Sequence, residues 1–122
     1  MKRSITPVLA LAICLVPASG AFAHAHLAEE TPSANGGVAG SPAALSLSFS
    51  EALEIGLSGV TLRGAGGQPI PTGAVSLAPG DTRQISVPLN RPLAAGKYTV
   101  EWHVLSKDGH SSRGSYEFTV SP

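Results

Sequence analysis

The pattern of residues predicts an all-β fold, a small antiparallel β-sandwich or Greek-key β-barrel of about seven strands, immunoglobulin-like in scale. Three observations carry that expectation. Apolar residues recur with period two in short runs, the mark of strands with one buried face. Clusters of Gly, Pro, Asn and Asp separate the runs. Beyond residue 23 no stretch sustains a 3.6-residue apolar period.

Residues 1–23 are set apart from this pattern and have the three parts of a secretory signal peptide. Lys2 and Arg3 give a charged start, residues 8–16 are nearly all apolar, and Ala21 and Ala23 supply the small residues that signal peptidase requires. Cys14, the sole cysteine, lies in the apolar stretch, and Ile13 stands where a lipoprotein cleavage box needs a small residue. Cleavage after Ala23 would leave residues 24–122 as one domain outside the cytoplasm. That domain would contain no cysteine and, with Met1 removed, no methionine.

The strands follow in order. Leu45, Leu47 and Phe49 alternate with Ser46 and Ser48; Val60 and Leu62 with Thr61 and Arg63; Ile85, Val87 and Leu89 with Ser86 and Pro88. Tyr98, Val100, Trp102 and Val104 share a face opposite Glu101 and His103, which makes Trp102 a core residue and His103 an exposed one. Tyr116, Phe118 and Val120 likewise oppose Glu117 and Thr119. Turns are expected at Asn35-Gly36-Gly37, residues 64–67, Pro79-Gly80-Asp81, Ala95-Gly96 and Asp108-Gly109. Pro88 should mark a sheet edge or bulge, because it cannot donate to a ladder. Residues 51–54 have the composition of one helical turn, and the change of parity between Ile55/Leu57 and Val60/Leu62 suggests a bulge near Ser58-Gly59.

Composition narrows the function classes. Residues 24–122 carry six basic and eight acidic side chains, a net of −2 with histidines neutral, so there is no basic footprint for nucleic acid. No apolar stretch there approaches the roughly 20 residues of a membrane-spanning helix.

The chemistry gathers around histidine. Processing would make His24 the first residue, with two nitrogens to offer: its α-amine and its ring Nδ1. His26 follows two residues on. Asp108 and His110 flank Gly109 where the Trp102 strand hands over to the Tyr116 strand, a spacing that brings both side chains to one side of an extended chain. If the first strand passes that loop, the amine, His24, Asp108 and His110 converge. Such nitrogen and carboxylate donors suit Cu(II), which heads the affinity series and favours tetragonal N/O surroundings; Cu(I) would lack soft sulfur ligands, and zinc stays open. Two alternatives remain at this point. Asp108-Gly109 is also a strong hairpin signal in its own right. A free amine with His26 in third place can instead wrap Cu(II) through deprotonated backbone amides.

The start His24-Ala25-His26-Leu27 with Thr31-Pro32, the run Leu47-Ser48-Phe49-Ser50-Glu51, Leu93-Ala94-Ala95-Gly96-Lys97-Tyr98, Val100-Glu101-Trp102-His103-Val104-Leu105-Ser106, and Asp108-Gly109-His110 with Gly114 and Phe118 resemble the CopC family of periplasmic copper-resistance proteins, in particular its YobA-like branch. The resemblance spans essentially all of residues 24–122. It implies a seven-stranded Greek-key barrel, cupredoxin-like in outline, located in the periplasm and binding one Cu(II) through His24, Asp108 and His110. It also implies a non-enzymatic role in sequestering copper or delivering it, with an inner-membrane copper transporter of the CopD type as partner. A Met-rich Cu(I) site found in some members is not expected here. Two rival readings are a copper-dependent oxidase built on a histidine brace, whose oxygen position Asp108 would occupy, and a metal-free immunoglobulin-like interaction module.

Overall fold

A computed structural model describes residues 25–122. The expected signal peptide and His24 lie outside the described residues. The chain forms β1 (Leu27–Thr31), β2 (Gly37–Ala39), β3 (Ala44–Phe49), a 3-10 turn (Ile55–Leu57), β4 (Gly59–Arg63), β5 (Pro69–Ile70), β6 (Ser76–Leu77), β7 (Gln84–Pro88), β8 (Gly96–Leu105) and β9 (Ser111–Ser121).

These strands build two sheets, ordered β1-β3-β7-β6 and β2-β9-β8-β4-β5. Consecutive strands repeatedly change sheet, so β1 pairs with β3 while β2 between them runs parallel to β9. The architecture is the all-β sandwich that the alternation predicts. Among the described residues nine strands stand where about seven were expected, because β5 and β6 are two-residue pieces that period-two counting does not register.

The predicted inward stripes form the core. Leu45, Leu47, Phe49, Leu62, Ile85, Val87, Val100, Val104, Phe118 and Val120 are buried between the sheets. Tyr98 and Phe118 stack with ring centroids 5.6 Å apart. Tyr116 also faces inward, and its hydroxyl is buried without a hydrogen-bond partner among the described residues. Burial, then the charge of Glu30, pushes that phenol above its usual range.

Two local expectations shift. The helical turn lies at Ile55–Leu57 and not at residues 51–54, because Leu53 is buried and bridges Ser106. That 3-10 turn, and no bulge at Ser58-Gly59, accounts for the parity change; the irregular register is in β1, between Leu27 and Glu29. Pro88 ends β7 opposite Ala44, so its missing N–H interrupts nothing. Trp102 faces inward but stays half-buried: it meets Phe49 edge-on at 5.1 Å and lies across Gly114, where an added Cβ would come within 2.5 Å of the indole.

Candidate metal centre

β8 and β9 pair along their whole length, from Gly96 opposite Val120 to Leu105 opposite Ser111. The loop between them presents Asp108 and His110. The Gly109 N–H donates to the Ser106 carbonyl at 2.9 Å, and the Ser106 N–H donates to the His110 carbonyl at 2.9 Å, closing a three-residue hairpin loop. Gly109 has φ +93°, a conformation side chains resist, which explains the glycine between Asp108 and His110. The neighbouring chain braces the loop: Lys107 N–H donates to the Ala52 carbonyl at 2.9 Å and Glu54 N–H to that of Leu105 at 2.8 Å.

Asp108 and His110 are brought together, as their spacing predicts. His110 Nδ1 lies 3.2 Å from Asp108 Oδ1, and the His110 N–H donates to the same oxygen at 3.2 Å. Ser106 Oγ also donates to Asp108 Oδ1. The Ser106 bond holds the Asp108 carboxyl below its usual value; desolvation opposes it, and the contacts from His110 act in the same sense as Ser106. Both side chains remain partly open to solvent, at 38% and 48% exposure for Asp108 and His110, so an ion can reach them. Asp108-Gly109 is therefore a turn former that also sets the Asp108 carboxylate beside the His110 imidazole.

The N-terminal segment reaches the same end of the sandwich. Ala25 is buried, and its carbonyl accepts a hydrogen bond from Ser112 Oγ at 2.8 Å, two residues past His110 in β9. The His26 N–H donates to Ser50 Oγ at 2.8 Å, and the Ser50 N–H donates to the His26 carbonyl at 2.9 Å. The amide nitrogen of His26 is thus already engaged, which opposes the amide-wrapped mode. The His26 side chain is exposed.

Among the described residues no group of three or more His, Cys, Asp or Glu side chains stands ready to hold a metal. A surface cleft of about 470 Å³ lies elsewhere, bordered by Thr61, Glu101, Trp102, His103 and Arg113; it includes neither Asp108 nor His110. His103 is exposed as its parity predicts, with its ring over Gly59.

The serines around the loop were not singled out by sequence reasoning. A signal existed for two of them: Ser106 continues the inward stripe of β8 and Ser112 that of β9, so each is a polar residue at a core-parity position.

A model of the CopC domain matches residues 27–121. The chain belongs to the CopC family. Protein YobA of Escherichia coli K12 is 40% identical over 118 residues, which cover 97% of this chain and 95% of that protein. Among solved structures, CopC from Methylosinus trichosporium OB3b superposes with a TM-score of 0.76 at 33% identity, covering 81% of this chain and 95% of that one. PcoC, a methionine-rich copper resistance protein of Escherichia coli, gives 0.72 at 34% identity, covering 81% of this chain and 100% of that one. The two-sheet architecture of this CopC domain is accordingly that of the copper-resistance proteins. Among its described residues no helix is long and apolar enough to cross a membrane.

Proposed function

We propose that residues 1–23 are a signal peptide, that processing makes His24 the first residue, and that the mature chain is a periplasmic, non-enzymatic protein binding one Cu(II) through His24, Asp108 and His110. Its role in this reading is to sequester copper or pass it to a membrane transporter of the CopD type. The observation that supports the reading most is the Ser112 hydrogen bond to the Ala25 carbonyl. It ties the residue directly bonded to His24 to the strand that begins just after His110. Donor chemistry agrees: the amine and imidazole nitrogens with a carboxylate suit Cu(II), whereas the only methionine is Met1, so a thioether site for Cu(I) is not available. In this respect the chain parts from PcoC, described as methionine-rich.

The 3.2 Å between His110 Nδ1 and Asp108 Oδ1 fits two arrangements. It is close to the ~3 Å separation of adjacent donors on one ion with bonds of about 2.0–2.2 Å. It also fits a carboxylate that orients the imidazole from behind, leaving Nε2 to the metal. Asp108→Asn separates them: a changed copper spectrum marks Asp108 as a ligand, and an unchanged spectrum with weaker binding marks it as the orienting group.

Titration with Cu(II) tests the whole reading. The chain starting at His24 should bind one ion, and both His110→Ala and the precursor retaining residues 1–23 should bind far more weakly, the precursor because its His24 nitrogen is an amide. Equal binding by precursor and mature chain would exclude the site. Ascorbate-driven peroxide production at the bound copper would favour the oxidase reading.

A further inference from the structure

We propose that three serines, Ser50, Ser106 and Ser112, are positioning residues that assemble the copper site before the ion arrives; this rests on the reading of His24, Asp108 and His110 as its ligands. Those ligands come from opposite ends of the chain, and a free N-terminus would sample many conformations. Its ordering would then weigh against binding, and fixing it in the folded protein removes that penalty. Two serines act on the residues immediately after His24. Ser112 Oγ donates to the Ala25 carbonyl at 2.8 Å, and Ser50 both accepts from the His26 N–H at 2.8 Å and donates its own N–H to the His26 carbonyl at 2.9 Å. The third acts on the hairpin. Ser106 Oγ donates to Asp108 Oδ1, while its N–H donates to the His110 carbonyl at 2.9 Å.

Burial makes Ser106 informative. It is 1% exposed at the end of the inward stripe of β8, a position that packing alone would fill with an apolar side chain. A hydroxyl is tolerated there because its hydrogen bonds are met, and the partner it meets is the candidate ligand. Ser50 has a further consequence for specificity. Wrapping Cu(II) through His26 requires the His26 amide to lose its proton, and that N–H is the one donated to Ser50 Oγ. Ser50 thus favours the site shared with the hairpin over one confined to the first three residues.

The test uses the chain starting at His24, with Ser50→Ala, Ser106→Ala, Ser112→Ala, Ser112→Thr and, as a control for the ligand set, His110→Ala. The readouts are the Cu(II) dissociation constant by chelator competition, the copper EPR spectrum and the metal-free melting temperature. Ser112→Ala should weaken binding about fivefold, the worth of one net neutral hydrogen bond, and Ser106→Ala about tenfold or more, because its hydroxyl meets a carboxylate. Their spectra should be retained, and Ser112→Thr should restore affinity. Ser50→Ala should shift the spectrum toward four nitrogens and make binding less sensitive to His110→Ala. If Ser106→Ala unfolds the hairpin, the Ser112 pair decides. Affinities within twofold of wild type for Ser106→Ala and Ser112→Ala, while His110→Ala abolishes binding, overturn the serine proposal and leave the site intact. A loss in Ser112→Ala that Thr does not restore and that follows a lower metal-free melting temperature overturns it as well. Copper binding that ignores His110→Ala in the wild-type background removes the ligand reading and this proposal together.

Discussion

The middle of the sandwich and the end that carries the β8-β9 loop are held by different physics. In the middle, Leu45, Leu47, Val100 and Phe118 are buried from both sheets, and burial is non-directional: each side chain contributes by leaving water, wherever its neighbours stand. At the loop end, Ser106, Asp108, His110, Ser112 and the residues following His24 are held by a few directed hydrogen bonds, each depending on one atom. The core should therefore resist conservative change and fail on loss of volume, whereas the loop end should lose function on single-atom changes that leave the fold standing.

The largest effect belongs to the core. Phe118 is 1% exposed and stacked on Tyr98, so Phe118→Ala should cost about 3–5 kcal/mol, a large part of the roughly 5–15 kcal/mol that stabilises a small domain. Trp102→Ala should cost less despite the larger ring, since that side chain is only half-buried and its place over Gly114 opens toward solvent. Denaturant melts of the two variants check the order. A greater loss for Trp102→Ala would move the centre of the core toward the cleft.

Copper should come next. An ion bridging His24 to Asp108 and His110 would bind only the folded chain, so a hundredfold excess over Kd should add about 2.7 kcal/mol. For a domain of roughly 100 residues this raises the melting temperature by on the order of 10 °C. His110→Ala should abolish the gain and leave the metal-free melting point near wild type, the opposite pattern to Phe118→Ala. A gain that survives in His110→Ala would put the ion elsewhere.

The same contrast decides what could be read in the sequence. Period-two alternation fixes which side of a strand faces inward, so Leu45, Ile85, Tyr98 and Phe118 were legible as core, and Asp108-Gly109-His110 was legible because a turn signal and two polar donors coincide. β5 and β6 were not, because two residues cannot display a period. Leu53 looked helical beside two glutamates, yet its partner is Ser106, more than fifty residues away, and only tertiary contact shows that. The serines escaped for the same reason: a hydroxyl's role depends on what stands 2.8 Å from it, and Ala25 and Ser112 are distant in sequence.

A smaller effect separates charge from geometry at Asp108. Its carboxyl titrates below the ordinary 3.8 when folded, so the charged form favours the folded state. That contribution is fully present above the ordinary value and is lost as pH falls through the lower, folded one. Asp108→Asn keeps an acceptor for Ser106 but not the charge. The metal-free melting temperatures of wild type and variant should differ at about pH 5 and converge as pH falls below about 4. A difference that does not change through that range would mean that the turn geometry, and not the carboxylate charge, is what Asp108 supplies to the free protein.

The smallest effect is expected on the outer face of β4 and β8, where neither apolar burial nor a candidate ligand is involved. Arg63 Nε lies 2.9 Å from Glu101 Oε1, with the two side chains 36% and 47% exposed, and Arg63 also donates to the Gly67 carbonyl at 3.1 Å. In such an exposed pair the attraction is screened by water and opposed by the entropy of holding two long side chains, so its coupling should be about 0.2–1 kcal/mol. A double-mutant cycle of Arg63→Ala and Glu101→Ala measures it, and raising the salt to about 1 M should shrink it, because the screening length falls to roughly 3 Å. Copper affinity should not change in either variant, since this face is separate from the β8-β9 loop. A coupling well above 1 kcal/mol that persists in high salt would show that the outer face, through the Arg63 anchor on the β4-β5 turn, stabilises the fold in a directional way and that the division between a packed middle and a hydrogen-bonded end is drawn too sharply.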